Sequence, residues 1–95
     1  MTDLIHQERV VVFSTRHCGY CVRAKRLLER KNIPFIEIDL NRSSETRQWL
    51  VNKTGMWTVP QIFVDGEVIG GYRELEAMAQ QGRFDDFVLS SITGH

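Results

Sequence analysis

An α/β fold is the expectation for this 95-residue sequence, on three observations. Two apolar, strand-like runs flank an amphipathic helical run, the layout of a βαβ unit of roughly 30 residues. Two further short apolar runs meet at Asp65-Gly66, a dipeptide that favours the type I′ turn of an antiparallel hairpin. A helical pattern follows the hairpin after Gly70-Gly71.

Each element has a local reason. Val10-Val11-Val12-Phe13 is a continuous apolar run and reads as a buried strand. Val22 to Lys31 reads as a helix, with Cys21, Ala24, Leu27 and Leu28 at i, i+3, i+4 spacing and Asn32 as its stop. Ile33 to Asp39 reads as the second strand, with Phe35 or Ile36 and Ile38 supplying its apolar contacts. Ser43 or Ser44 can cap a helix over Glu45 to Lys53, and Gly55 can end it. Gln61 to Val64 and Glu67 to Ile69 are the hairpin strands. Tyr72 to Gln80 reads as a helix with Leu75, Met78 and Ala79 as its buried stripe and Gly82 beyond its end. Phe84, Phe87 and Val88 predict a final helical turn packed on the domain.

Composition sets the frame. The chain is 42% hydrophobic and 25% charged, ordinary for a soluble globular protein. Its length predicts a single domain over residues 1–95, with a core between about 9 and 90. Lys+Arg and Asp+Glu number 12 each, so no broad basic field points to nucleic acid or to an anionic membrane. No apolar run is long enough to span a bilayer, and Met1 to Arg9 lacks the apolar segment of a signal peptide. A cytoplasmic location is therefore the expectation. Thiols stay reduced there, so a close cysteine pair is expected to be catalytic or metal-binding rather than a structural disulfide.

That pair is Cys18 and Cys21, the only two cysteines. The strand ends just before them and the helix begins on top of them. Free backbone N–H groups and the helix dipole favour negative charge at such a place, so a thiolate there is a ready nucleophile. The spacing lets both sulfurs meet across one helical turn. Cys18 is expected to attack from the exposed helix start, and Cys21, one turn inside, to resolve a mixed disulfide. Half of a zinc site is the competing reading. Zinc wants four ligands, and only His6, His17 and His95 could add nitrogen donors, from unrelated places.

Two other motifs are ambiguous alone. Thr58-Val59-Pro60 precedes a strand, where proline removes a ladder donor. A cis Val59–Pro60 bond would leave the Val59 N–H and C=O free for an extended peptide-like substrate, but a plain trans proline is the commoner case. Gly70-Gly71 opens a helix whose free N–H groups suit a carboxylate or phosphate; a tight turn explains it equally well.

Taken in order, Cys18-Gly19-Tyr20-Cys21, Thr58-Val59-Pro60-Gln61-Ile62-Phe63 and Gly70-Gly71-Tyr72 resemble the glutaredoxin family, over roughly residues 9 to 90. The resemblance implies a thioredoxin-like fold, a four-stranded mixed β-sheet flanked by helices, with a cis Pro60 facing the cysteines. It implies a monomeric enzyme that reduces protein disulfides and glutathione mixed disulfides, with glutathione as co-substrate. Thr58, Val59 and Pro60 would form one wall, Val59 pairing with the cysteinyl backbone of glutathione. Gly71, Tyr72 and Arg73 would bind the γ-glutamyl end, and Tyr20 would border the thiol. Arg47 falls where the family often places a residue that holds the glycine carboxylate, a job that bidentate arginine suits. Without the resemblance it reads as a solvated helix-face charge.

The departures from the family pattern carry further expectations. Many members have a basic residue where this chain has Thr15, and Arg16 is the nearest substitute. Trp57 stands where arginine is frequent, and is placed either beside bound glutathione or over the core edge. His17, if protonated, would sit beside a Cys18 thiolate; a loop histidine is more often simply solvated. Gly19 replaces a common proline. Some members with glycine or serine there hold a [2Fe–2S] cluster between two subunits through the first cysteine and glutathione, which would make Cys18 a ligand. A donor reduced by thioredoxin reductase, or one serving another low-molecular-weight thiol, is the remaining alternative.

Overall fold

The structure, a computed structural model, describes residues 2–84. Its elements are α1 (Thr2–Gln7), β1 (Val10–Ser14), α2 (Gly19–Arg30), β2 (Ile36–Asp39), α3 (Ser44–Thr54), β3 (Gln61–Val64), β4 (Glu67–Gly70) and α4 (Tyr72–Gln80). A single 3₁₀ turn, Leu40–Arg42, links β2 to α3. The sheet order is β2-β1-β3-β4. β1 runs parallel to β2, with Val11 opposite Ile36 and Phe13 opposite Ile38. β1 runs antiparallel to β3, and β3 to β4. The four-stranded mixed sheet flanked by helices is thus the predicted architecture.

β1 is buried along its whole length because both faces of the sheet are covered. Val10 and Val12 pack on one side with Ala24, Leu27 and Leu28 of α2 and Leu75 and Ala79 of α4. Val11 and Phe13 point to the other side, among Ile5 of α1, Leu40, Leu50 of α3 and Phe63. Period-two alternation sends one strand's side chains into two cores.

The local signals behave as the chemistry requires. Asp65 and Gly66 both take positive φ, +51° and +85°, as a type I′ turn needs. Ser43 caps α3, its hydroxyl accepting from the Thr46 N–H at 3.1 Å. Gly55 closes α3 at φ +73°, donating its N–H to Val51 O at 2.7 Å. Asn32 stops the chain beyond α2 at φ +58°.

Beyond shifts of one residue at element ends, such as those of α3 and β4, four details differ from the sequence expectation. α2 begins at Gly19, not Val22, because Cys18 itself serves as the N-cap. β2 begins at Ile36, not Ile33; Pro34 cannot donate to a ladder, and Ile33 is instead buried as an anchor of the preceding loop. The polar N-terminus folds as α1, which Ile5 ties to the core. Phe84 is buried against the α2–α4 side, but residues 81–84 form turns rather than a helix, and Phe87 and Val88 lie outside the described residues.

Candidate active site

β1 and α2 together place the cysteines. β1 ends in the middle of the sheet, and the loop over residues 15–17 turns the chain into α2, with His17 at φ +58°. Cys18 has extended geometry, φ −107° and ψ 106°, and its Sγ accepts the Cys21 N–H at 3.1 Å. Its carbonyl already accepts the Val22 N–H at 3.2 Å. The sulfur therefore sits where an N-cap oxygen normally sits, facing free helix N–H groups. Both thiols are reduced.

The two sulfurs are not equivalent. Cys18 is partly exposed, while Cys21 is 1% exposed. Burial, helped by the hydrogen bond with Cys18, pushes the Cys21 thiol up to about 12, against the hydrogen bond with the Thr15 backbone and a smaller pull from Lys25. At neutral pH Cys21 is a protonated reserve, and the accessible sulfur is Cys18.

β3 supplies the facing wall. The Val59–Pro60 peptide is cis, as the resemblance implied, and Cys18 Sγ lies 3.9 Å from Val59 O. Val59 also lines a groove of about 410 Å³. Thr58, Val59 and Pro60 line one side of it, and Gly71, Tyr72 and Arg73 another. Tyr20 closes the end near the cysteines, with its ring 6.1 Å from that of Tyr72 and the Arg23 guanidinium 5.4 Å from its centre. These seven predicted residues share one groove. Arg16 does not join them; it lines a separate, more polar cleft of about 860 Å³, which Cys18 and Cys21 line as well. Arg47, half-buried on α3, lines neither. Trp57 is 65% exposed and lies outside the walls of both.

Three features escaped the sequence reading. The Gly71 N–H, expected to be open to a ligand carboxylate, donates to Glu74 Oε1 at 2.7 Å. A side chain of the same helix already plays the anion, so a ligand's carboxylate would compete with it there. Glu74 falls three residues after Gly71, which was a legible capping signal. Gln61 is 2% exposed in the groove wall, and its Nε2 donates to Met56 O at 2.9 Å and to Thr58 O at 3.0 Å. In the larger cleft, Glu37 Oε2 accepts from Ser14 Oγ at 2.6 Å and from Lys25 Nζ at 2.8 Å. Burial alone would raise the Glu37 carboxyl, but the Lys25 and Ser14 hydrogen bonds outweigh it and hold the group below the usual carboxylate range.

A [2Fe–2S] cluster finds an incomplete set of donors in one chain. Such a cluster takes four ligands. Here only Cys18 is accessible, Cys21 is buried and held protonated, and the described residues contain no group of three or more His, Cys, Asp or Glu arranged for a metal.

An accessible thiol at a helix start, a second thiol one turn behind it and a cis-proline across from them are the working parts of thiol–disulfide exchange. On this sheet they define a thioredoxin-like thiol–disulfide oxidoreductase. The family model for glutaredoxin matches residues 10–69. A glutaredoxin of Pseudomonas aeruginosa is 42% identical over 76 residues, covering 80% of this chain and 90% of the relative. Glutaredoxin 3 of Escherichia coli is 37% identical over 76 residues, covering 80% and 92%. Among solved structures, the buckwheat glutaredoxin–glutathione complex superposes with a TM-score of 0.82 at 29% identity, covering 94% of this chain and 84% of that one. This chain belongs to the glutaredoxin family.

Proposed function

We propose that the protein is a glutathione-dependent oxidoreductase that reduces glutathione mixed disulfides and protein disulfides, acting as a one-domain monomer in the cytoplasm. One observation carries the reading. The accessible Cys18 sulfur lies 3.9 Å from the carbonyl of Val59, a residue that lines a groove of a size for a short peptide. Glutathione is such a peptide, and the similar buckwheat protein is a glutathione complex.

The reaction then follows from the geometry. The Cys18 thiolate attacks the glutathione sulfur of a mixed disulfide lying along Val59. A new Cys18–glutathione disulfide forms, and the target leaves as a thiolate that takes up a proton. A second glutathione thiolate attacks the glutathione sulfur of that disulfide, giving oxidised glutathione and returning Cys18 to its thiolate. For a protein disulfide, Cys18 bonds to one target sulfur and releases the other. Cys21 then loses its proton and attacks Cys18, freeing the target's second thiolate and leaving a Cys18–Cys21 disulfide that two glutathiones reduce.

A glutathione reductase-coupled assay, run with and without glutathione, tests the reading. Turnover should require glutathione. Cys18→Ser should abolish it, and Cys21→Ser should keep deglutathionylation while losing most protein-disulfide reduction. Activity retained by Cys18→Ser would end the proposed mechanism. Turnover with thioredoxin reductase and no glutathione would reassign the electron donor. Turnover with mycothiol or bacillithiol alone would reassign the thiol. A brown dimer from anaerobic purification with glutathione, lost on oxidation, would place the chain among cluster carriers with Cys18 as ligand.

A further inference from the structure

Gln61 is a buried polar side chain in the groove wall that the reaction does not use. It opens β3 directly after the cis peptide, opposite Phe13 of β1. It is 2% exposed, as buried as the apolar residues around it. Burying a carboxamide costs free energy unless its hydrogen bonds are made, so a buried glutamine needs a reason. Half of that reason is visible. Nε2 spends both hydrogens on the carbonyls of Met56 and Thr58, 2.9 and 3.0 Å away. Those carbonyls bracket the stretch that turns into Val59, and no strand or helix holds residues 56–60. Oε1 is buried with no partner among the described residues. An apolar side chain would fill the same space without that cost. A residue chosen for packing alone would not be a glutamine.

We propose that Gln61 is a positioning residue for substrate. It pins the 56–58 backbone so that the Val59 N–H and C=O present one fixed hydrogen-bonding edge to a γ-glutamyl tripeptide in the groove. The inference rests on the glutathione reading, and deepens it by naming what sets that edge. Gln61 never touches the reacting sulfurs; it acts through Val59. A preset edge loses less freedom when a peptide pairs with it, so the effect belongs in substrate affinity rather than in sulfur reactivity.

Gln61→Met and Gln61→Glu test this. Methionine keeps the length and cannot donate; an ionised glutamate keeps the shape and cannot donate. Three measurements separate the possibilities. With a glutathionylated peptide in the coupled assay, KM should rise about tenfold in both variants, the size expected for two lost hydrogen bonds, with kcat within about twofold. Alkylation of Cys18 by iodoacetamide, which needs no groove, should stay at the wild-type rate. Amide hydrogen exchange should speed up at residues 57–59 while the β1 amides stay protected. An unchanged KM overturns the proposal. Parallel losses in KM, alkylation rate and β1 protection also overturn it, because they mark a general structural role. If exchange quickens at 57–59 but the wild type turns over without glutathione, the glutathione reading fails and the clamp alone stands.

Discussion

Cys18 and Cys21 differ only in where one helical turn puts them. The first sulfur caps the helix and meets solvent; the second faces the interior beside it. That difference predicts selective chemistry. Brief iodoacetamide treatment of the reduced protein at pH 7 should add one label, at Cys18, by mass spectrometry. It also predicts a pH signature. A thiol raised from 9.0 to about 12 holds its proton more tightly folded than unfolded. Its contribution to stability is complete below pH 9 and is lost as pH rises from there towards 12. In urea unfolding of the reduced protein, the stability difference between wild type and Cys21→Ser should shift against the wild type above pH 9. A difference that is flat with pH would contradict the burial of Cys21. The places of these two residues, one at a helix start and one a turn inside it, were legible in the C-x-x-C spacing. The position of Gln61 was legible too, but not its task, because its partners are main-chain carbonyls, which residue types do not mark.

At the level of elements, the start of α2 is the informative case. Gly19 is its first residue, and a Cβ built there meets nothing within 4 Å. Its φ is not in the left-handed region, so the position does not demand glycine. Cys18, before it, is extended, the conformation that a following proline prefers. The first helical position is also where proline's missing N–H costs least. Gly19→Pro should therefore fold and gain about 0.5–1 kcal/mol by restricting the unfolded chain, read as a rise in Tm. A fall in Tm would show that the Gly19 backbone is needed as it is. The elements best foreseen were those with dense local signals: the bounds of α4 coincide with the sequence expectation, and the hairpin differs by one residue, Gly70. α1 was not foreseen, because a six-residue segment of mostly polar residues has no periodicity to read.

Across the whole molecule, the sheet carries two cores that share β1. Ile5 is the one described α1 side chain in either, and it is fully buried with Val11, Phe13, Leu50 and Phe63. Ile5→Ala should cost about 2 kcal/mol or more in urea unfolding, by lost burial and the cavity left behind. Cys18 alkylation should not change, since the thiol rests on the α2 and β3 ends rather than on α1. A cost below about 0.5 kcal/mol would mean that α1 adds little to the second core.

The sequence by itself determined what lies close along the chain. It set the βαβ order, the Asp65-Gly66 turn, the helix stops and the thiol pair at a helix start, because period, turn chemistry and capping act within a few residues. Only the tertiary structure decided what meets across the chain. The β1–β3 antiparallel register brings Cys18 to Val59, 41 residues away. The same folding buries Cys21 but not Cys18, and leaves Arg16 and Arg47 outside the groove. Burial and partnership depend on long-range packing, which a spacing of residues does not encode locally.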